Sequence, residues 1–513
     1  MNSTGDAAAT DMTDMQDALV SPVEPTNAEE YEFDESKDAE GSIDGMAFLT
    51  ADPHKAGYTG PQSGIAALKF LRSLPPYLPI SRSSPLTASE DQNVPEAHSF
   101  PVSEIRRYID DYFSLYHPAY PILHEGTFRA RHSVPKPKDG SWPLLYNSVL
   151  AIGAFVGGPN TAENDLPFFN EIRKHLSMDI LEKGSLGYVQ AITLIANYLQ
   201  KRNKPNAGFI LIGISFSMAL SIGLHREFDT HSAHNVQNTT PFLMEIRRRV
   251  WWTLFVFMSG AQLALGRPSA SLVGVNVHLP ANLDDMNLAV DMEDLPPESL
   301  EPTAASCLIE QIKLAKVANA IHDELLTHRR PSYATAMNLE HDIRQWCRSL
   351  PWYLDENHAL EPRLEFPKRV LLWRSSNLRI VLNRPFLFEN IASGAPLDDS
   401  FQPIRSCLEA ANECIRSISG FVNSMQTTRR GFAWYTTAWL ITAGFVQATC
   451  LIYSPSHKLS PGWKNSLLQT VDCLQLLGSS LDIALRAREV LQNVLGFVFE
   501  DDLQSHLRNT IGP

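Results

Sequence analysis

The histidines and cysteines of this chain are the residues best suited to metal chemistry, but their spacing does not form a metal site. Cys407 and Cys414 lie seven residues apart in a helical pattern, which places both thiols on one apolar helix face, and no CxxC motif accompanies them. His322 and His328 have no third ligand nearby, and no HExxH motif occurs. We therefore expect no bound metal and no other cofactor, and we interpret the histidines as scattered core or surface residues.

Paired acids and nucleophile motifs give no better support for catalysis. A helical enzyme that binds magnesium, such as a terpene cyclase, repeats carboxylates on one helix face. Asp110-Asp111 and Asp284-Asp285 both lack a third acid at that spacing. The chain also has no GxSxG motif, no GxxxxGK[ST] phosphate loop and no GxGxxG motif after a strand. The sequence predicts no catalytic residues and a protein that is not an enzyme.

The charge distribution bears on the class of partner. The first fifty residues carry thirteen acids against Lys37 alone, and the formal net charge of the whole chain is -14. The remaining residues are close to neutral and contain no run of five or more Lys or Arg. Because a protein that grips nucleic acid normally presents a basic face, we do not expect direct DNA binding. The short basic runs at 201–204 and 247–249 are flanked by apolar helix, which does not favour a localisation signal.

Helices must position all of these residues, and the clearest helix lies within 240–268. Thr240 is a suitable N-cap, and Gly266 marks the end of the helix. From Val250 onward both sides of this helix are apolar, so we expect it to be buried inside a large helical body. The arginines at 247–249 precede the apolar run, where their guanidinium groups are expected to reach carboxylates or water.

Helical periodicity continues through the rest of the chain, and no series of strands is apparent. A short helical lead-in follows Tyr58, and the acidic stretch 280–303 is expected to form a surface excursion. The fold class is therefore all-α: a large multi-helix domain with a disordered acidic N-terminal segment. Further helices are predicted at 103–116, 143–157, 164–182, 187–201, 206–224, 304–326, 333–349, 365–384, 402–423, 431–453 and 462–495.

Composition divides the chain into four parts. Residues 1–57 are acidic and poor in periodic apolar residues, which predicts disorder. Residues 58–101 form the lead-in and a Pro/Ser-rich linker. The helical domain is expected at 102–495, and 496–513 form a C-terminal tail.

Two apolar stretches, 431–453 and 205–224, are long enough to cross a membrane. Polar residues dilute both stretches, so we expect buried helices of a bundle and no membrane association. All six cysteines lie in the second half of the chain on apolar helical patterns, and the N-terminus has no signal-peptide pattern. These features favour a reducing, intracellular compartment.

Five segments, in this order and at these separations, resemble the middle homology region of fungal-specific transcription factors. This large family usually carries a zinc binuclear cluster (Zn2Cys6) at its N-terminus. The resemblance runs from about residue 58 to about residue 495. The segments are 112–128 (YFSLYHPAYPILHEGTF), 189–199 (VQAITLIANYL), 213–227 (GISFSMALSIGLHRE), 247–268 (RRRVWWTLFVF followed by LALGRP) and 378–388 (LRIVLNRPFLF).

The resemblance implies a wholly α-helical regulatory domain at 102–495 and a nuclear protein that controls transcription, of one pathway or gene cluster, in response to a ligand or partner. The implied partners are other transcription factors or co-regulators, with a homodimer or heterodimer as further options. The family-motif positions, implied to be structural or regulatory, are His117, Pro118, Pro121, His124, Phe128, Gly223, Leu224, His225, Arg226, Arg247, Arg248, Arg249, Trp251, Trp252, Gly266, Arg267, Pro268, Arg384 and Pro385.

The chain departs from the family because it lacks the zinc cluster. That cluster needs six cysteines in two CxxC-containing groups beside basic residues, and no cysteine precedes Cys307. Either the absence is real and the protein is a co-regulator that reaches DNA through other proteins, or the start codon lies too far downstream of a missing N-terminal cluster. The remaining alternatives are a soluble helical interaction scaffold outside transcription and, less favoured, a membrane-associated protein.

Tyr31 and Phe33 stand among carboxylates in the acidic segment. Acids keep such aromatic residues solvated and available to a partner. These two residues therefore mark a candidate activation segment, and a merely solvating tail is the alternative.

Overall fold

The computed structural model describes residues 33–35, 49, 57–74, 100–134, 139–158, 163–228, 240–425 and 429–498. Tyr31, most of the predicted acidic segment and linker, and the tail after Val498 lie outside these residues. The expectations for those parts therefore remain predictions.

Fifteen α-helices and no strand occur in the described residues, which confirms the all-α prediction. The helices are α1 (Gly64–Ser73), α2 (Val102–Asp111), α3 (Glu125–His132), α4 (Trp142–Gly157), α5 (Leu166–His175), α6 (Leu186–Lys201), α7 (Pro205–Ser221), α8 (Pro241–Leu265), α9 (Ala304–Thr327), α10 (Tyr333–Arg348), α11 (Pro362–Ala392), α12 (Gln402–Ser424), α13 (Arg430–Tyr453), α14 (Ser460–Gly478) and α15 (Asp482–Val498).

Short helical turns supplement these helices. A π-helical turn at Tyr112–Tyr116 extends α2, and 3₁₀ turns occur at Met178–Glu182, Asp285–Asn287 and Trp352–Leu354. The predicted helix 164–182 is therefore divided into α5 and a separate 3₁₀ turn.

The central helix α8 has the predicted ends and the predicted burial. The Thr240 side chain accepts a hydrogen bond from the Leu243 amide at 3.2 Å, as an N-cap should. Gly266 adopts a left-handed conformation with φ 64°, which terminates the helix. No residue from Val250 to Leu265 is exposed to solvent.

Helix α11 corrects the prediction that a helix ends at Arg384. It continues through Pro385 to Ala392. An internal proline costs about 3 kcal/mol or more. The following turns bury Phe386 and Leu387 in the core, and each such side chain contributes roughly 1.5 to 3 kcal/mol on burial. Burial therefore offsets the lost backbone hydrogen bond.

The predicted helix 462–495 is also corrected, because it is two helices, α14 and α15. The chain turns at residues 479–481. A Cβ atom on Gly478 would lie only 2.2 Å from Cδ2 of Leu485, so glycine allows α15 to fold back closely against the end of α14. Local periodicity continued across this turn and gave no sign of it.

Two large apolar cores and a smaller third one hold the helices together. The first core lies among α2, α4, α6, α7 and α8. The second lies among α11 to α15 and also takes up α1. The smaller core lies between α9, α10 and α11. Helix α13 contacts α1, α4 and α11, so it joins the two large cores.

Helix α13 is also long and apolar enough to cross a membrane. In the described residues, however, 89% of its most apolar window is buried inside the protein. The other apolar stretch forms the shorter helix α7. The position of α13 matches the expectation of a buried bundle helix.

We predict that Trp252→Ala lowers the free energy of unfolding by about 3 to 5 kcal/mol, because the indole is removed from a packed core. Trp252 is only 3% exposed, and its Nε1 donates a hydrogen bond to the His278 carbonyl at 2.7 Å. Urea denaturation followed by circular dichroism measures the change.

The matched control is Trp352→Ala, since Trp352 is 57% exposed. This control should change the free energy of unfolding by less than about 1 kcal/mol. Equal losses in the two variants would contradict the central position of α8.

Candidate functional site

The family-motif residues gather at three junctions around α8. The Asp285 junction lies at the start of this helix, and the Glu227 junction lies beside it. The lead-in junction lies at the end of the helix, where residues 57–63, which precede α1, meet α8. Each junction joins segments that are far apart in the sequence.

Arg249 forms the centre of the Asp285 junction. Its side chain is fully buried, and its Nη1 donates to Oδ1 of Asp285 at 2.6 Å. Nε donates to Oε1 of Glu245 at 3.0 Å, and Nη2 donates to the Leu283 carbonyl at 2.7 Å. Arg249 thus reaches carboxylates as predicted, but no part of it reaches water.

The turn between α2 and α3 brings the first motif to the same carboxylate. The Nε2 atom of His117 lies 3.2 Å from Oδ2 of Asp285, and the Glu125 amide donates to that oxygen at 2.8 Å. His124 accepts the Thr127 amide on Nδ1, so its Nε2 carries the ring proton and donates to the Asp285 carbonyl at 2.9 Å. Asp285 therefore connects α8 to the motif that contains His117 and His124.

Neighbouring rings and prolines complete this turn. Phe128 is buried and lies 5.5 Å from the Phe113 ring, centre to centre. Pro118 and Pro121 lie in the turn that connects the π-helical turn to α3, and both are buried. The first motif therefore forms a rigid, packed corner of the first core.

The charges of the Asp285 junction compensate one another. Burial alone would raise the pKa of Asp285, but the neighbouring His117 and Arg249 and the Glu125 amide hold this pKa well below its usual range. Burial raises the pKa of Glu245, although Arg249 and the Ala281 amide oppose this shift. Asp285, which its neighbours hold in the ionised form, therefore acts as a structural counterion and is unsuited to proton transfer.

Asp285 also corrects the prediction that 280–303 is a surface excursion. The start of that stretch is buried: Leu283 is 1% exposed and the Asn282 side chain donates to the Ser299 carbonyl at 2.7 Å. Within the described residues, no group of three or more His, Cys, Asp or Glu is placed to hold a metal ion.

The Glu227 junction holds the third and fourth motifs together, which are the segments 213–227 and 247–268. Arg248 Nη2 donates to Oε1 of Glu227 at 2.5 Å, and the His278 amide donates to Oε2 at 2.9 Å. Arg247 Nη2 donates to the carbonyl of Gly223 at 2.9 Å, and Gly223 takes a left-handed conformation with φ 69° that suits glycine. The end of α7 is thereby tied to the start of α8.

The rest of the third motif packs on α8 or on the following loop. Leu224 is fully buried, and the His225 ring lies 6.0 Å from the Trp251 ring, centre to centre. The His225 carbonyl accepts the Val277 amide at 3.2 Å. Arg226 Nη1 donates to the Gly274 carbonyl at 3.3 Å.

At the lead-in junction, the backbone of the lead-in lies directly against the end of α8. The Gly60 amide donates to the Leu265 carbonyl at 2.8 Å. A Cβ atom on Gly266 would lie 2.5 Å from Cα of Gly60, so this close approach requires glycine. Arg267 Nη2 donates to the Tyr58 carbonyl at 3.0 Å.

Two more side chains secure the lead-in junction. His322 on α9 is hydrogen-bonded through Nε2 to the Arg267 carbonyl at 2.6 Å, which makes His322 a core histidine. Arg384 on α11 donates from Nη2 to the Gln62 carbonyl at 2.8 Å. Pro268 follows the junction, and Pro385 lies inside α11 next to Arg384.

Part of the predicted acidic segment also contacts the body. Glu35 accepts the Asn206 amide on Oε1 at 2.7 Å and the Ala207 amide on Oε2 at 3.0 Å, so it caps the N-terminus of α7. Glu35 and Leu49 are both buried, which differs from the expectation of a solvated tail at these two positions. Phe33, two residues before the cap, is 40% exposed.

Sequence reasoning missed Asp285, Glu227 and Glu245 as partners of the motif arginines, and Glu35 as the cap of α7. The Asp284-Asp285 pair is a candidate only for a magnesium site, which the sequence does not support. Glu245 had a local sign, because it lies four residues before Arg249 and such i,i+4 pairs face each other on a helix. Glu35 had none, since it caps a helix that begins some 170 positions later.

We predict that Asp285→Asn lowers the free energy of unfolding by about 3 kcal/mol, because the substitution leaves buried Arg249 with one carboxylate fewer. Urea denaturation near neutral pH measures this loss. Asp291→Asn is the matched control, since Asp291 is exposed in the same stretch, and it should change stability by less than about 0.5 kcal/mol.

The same pair of proteins tests the protonation state of Asp285. A depressed pKa in the folded state contributes stability above the pKa of the unfolded state and loses it as pH falls below about 4. The stability difference between the wild type and Asp285→Asn should therefore narrow on acidification. A difference that widens at low pH would contradict the ionised state of Asp285.

Comparison with known proteins identifies a family domain in the middle of the chain. Residues 109–351 match the family model described as fungal specific transcription factor domain. No solved structure matches the chain.

Curated relatives are fungal regulators. The lactose regulatory protein LAC9 of Kluyveromyces lactis is 26% identical over 425 residues, which cover 80% of this chain and 45% of that protein. The activator of stress genes 1 of Saccharomyces cerevisiae is 28% identical over 48% of this chain and 26% of its own length. The nitrogen assimilation transcription factor nirA of Emericella nidulans is 26% identical over 58% of this chain and 35% of its own length.

The chain spans less than half the length of these relatives. The match covers both the Asp285 and the Glu227 junctions, which lie inside 109–351. Residues 109–351 therefore match a fungal specific transcription factor domain, and the chain is similar to transcriptional regulators of fungi.

Proposed function

We propose that this chain regulates transcription in the nucleus through its helical domain, by contacting other transcription factors or co-regulators. Residues 1–513 contact DNA only through such partners. The relatives support control of transcription, and their printed names point to separate pathways such as lactose use and nitrogen assimilation. A role in one pathway or gene cluster follows by analogy.

The observation that carries this proposal is that basic side chains of the two short runs are buried or bonded within the protein. Arg249 is fully buried, and Arg247 and Arg248 are bonded to carbonyl and carboxylate oxygens at the Glu227 junction. Lys201, the first residue of the other basic run, is 3% exposed. Side chains bound in this way are not available to neutralise DNA phosphates.

Other contacts tie the N-terminal parts of the chain to the domain. Glu35 caps α7, and Gly60 and Gln62 bond to α8 and α11. A conformational change in the helical domain would therefore alter its contacts with the segments that precede it. This arrangement suits a regulator whose helical domain controls the availability of its N-terminal region.

We predict that the purified chain binds duplex DNA without sequence preference and with a Kd no tighter than about 10⁻⁶ M at physiological salt. Gel shifts with a panel of unrelated duplexes measure this. The chain fused to a foreign DNA-binding domain serves as the positive control. A sequence-selective shift by the chain alone at physiological salt would overturn the proposal of indirect DNA contact.

We predict that residues 1–57, fused to a foreign DNA-binding domain, raise reporter output. Tyr31→Ala with Phe33→Ala should remove more of this output than Glu32→Gln with Asp34→Asn, because the aromatic rings supply the apolar contact and the acids mainly keep it solvated. All four residues lie within one short stretch, so the two double variants are matched in position.

An inert fusion would show that the segment only solubilises the chain. The regulator would then act by sequestering a DNA-binding partner. Loss of output that is equal in the two double variants would contradict the special role of Tyr31 and Phe33.

A further inference from the structure

A cavity of about 80 Å³ lies inside the protein where α8, α11 and α13 meet. Gly260 contributes from α8, Arg374 from α11 and Tyr435 from α13. Gln62 of the lead-in also lines it. The cavity therefore lies between the two large cores, next to the lead-in junction, and is large enough for several water molecules or a carboxylate of about five heavy atoms.

The walls of the cavity carry positive charge. Arg374 and Arg384 both line it, and no Asp or Glu is among its described lining residues. Behind the same aromatic wall, Nζ of Lys201 lies 4.3 Å from the Trp434 ring centre and 4.0 Å from the Tyr435 ring centre. Burial lowers the pKa of Lys201 to about 7. Buried cations without counterions are costly, so the cavity favours an anion.

Several polar atoms at the cavity have no hydrogen-bond partner among the described residues. They are Nη1 of Arg374, Oδ1 of Asn377 and both amide atoms of Gln62. Arg374 and Asn377 lie one turn apart on α11 and so face the cavity together. Buried polar groups are normally satisfied, and unsatisfied ones that surround one space indicate a missing polar occupant.

The shape of the cavity around Arg374 suits a guanidinium that binds a ligand. A Cβ atom on Gly260 would lie 2.8 Å from Nη2 of Arg374, so glycine at this position makes room for the guanidinium. Arg384, in contrast, already donates to Gln62 and lies over the Phe388 ring. Among the described residues, Nη1 of Arg374 is therefore the guanidinium nitrogen at the cavity that lacks a hydrogen-bond partner, which suits a single negative charge.

We propose that this cavity binds a small organic monocarboxylate whose carboxylate pairs with Arg374 and whose apolar body lies against the aromatic wall. A guanidinium accepts a carboxylate through two parallel hydrogen bonds. Tyr120, Phe257, Trp434 and Trp439 supply aromatic surface around it. The acceptor Oδ1 of Asn377 suits a hydroxyl or amide donor on the ligand.

A surface groove of about 710 Å³ shares Tyr120 and Tyr435 with the cavity. The hydroxyl groups of these two tyrosines are hydrogen-bonded to each other at 2.7 Å. Because the pair lines both spaces, rotation of one ring would let a ligand pass from the groove to the cavity. The groove carries both signs of charge, since Arg363 and Arg429 lie there with Glu365, so its role is access and not attraction of the anion.

The regulatory meaning of the site rests on the proposed function. Gln62 belongs to the lead-in, so a bound carboxylate adds a contact between the lead-in and the helical domain. Occupancy of the cavity should therefore tighten the docking of residues 57–63 on α8. Hydrogen exchange at the Gly60 amide, which is bonded to Leu265, reports on this docking.

The test uses the purified full chain with sodium propionate as the probe, a carboxylate small enough for the cavity. Propionate at millimolar concentration should raise the Tm by roughly 2 °C, slow hydrogen exchange at Gly60 and change the fluorescence of the cavity tryptophans. Propionamide, which has nearly the same shape and no charge, should do none of these. Inorganic phosphate should have no effect, and stabilisation by phosphate alone would overturn the assignment to a carboxylate.

Two variants place the binding at this site. Arg374→Met should raise the Tm of the unliganded protein, since it removes a poorly compensated charge, and should abolish the propionate effect. Gly260→Ala keeps α8 helical but crowds Arg374, and should weaken propionate binding by about tenfold or more. Arg348→Met, at an exposed arginine on α10, is the matched control and should leave the propionate effect intact.

No propionate effect on the wild type, as expected of a cavity that holds only water, would overturn the proposal. An effect that persists unchanged in both Arg374→Met and Gly260→Ala would also overturn it. These measurements use no reporter gene or DNA, so they stand apart from the tests of transcriptional function. A protein that binds propionate at Arg374 but changes no transcript would retain this site and lose the proposed function.

Discussion

The buried ion pair between Arg249 and Asp285 is the constraint on which the arrangement of the first core depends. An arginine with a fully buried side chain is tolerable only with close carboxylates and carbonyls, and here they come from α8 itself and from a stretch more than thirty positions away. Asp285 also holds the corner that contains His117. A single carboxylate thus fixes the start of α8, the α2–α3 turn and the loop that follows α8.

Contacts within a few residues were predictable, and contacts between distant residues were not. The Thr240 cap, the left-handed Gly266 and the buried face after Val250 all depend on local spacing, and the structure has each of them. The residues near Asp285 in the sequence do not indicate its role, because Arg249 becomes its neighbour only in the folded chain. Pro385 misled for the opposite reason: its local preference to end a helix is outweighed by burial of the residues that follow.

Two buried arginines of the helical domain, Arg249 and Arg384, have different surroundings. Arg249 is surrounded by acceptors, and burial and two carboxylates act on it in opposite directions with the result that its pKa is raised. Arg384 has only the Gln62 carbonyl and an aromatic face, and burial lowers its pKa to about 10. The groups around Arg249 compensate its charge within the protein. The groups around Arg384 leave positive potential in the cavity, where a bound anion can still add stability.

On the proposed function, this contrast between Arg249 and Arg384 separates motifs with a structural role from motifs that can take part in regulation. The motifs around 117–128 and 247–252 form the Asp285 and Glu227 junctions, which fix how the helices of the domain pack together. The motifs at 266–268 and 384–385 instead hold the lead-in through backbone carbonyls of Tyr58 and Gln62. Bonds to a few carbonyls are weaker than a buried ion pair. The lead-in is therefore the part of the domain whose docking a small ligand or a partner protein can most readily change.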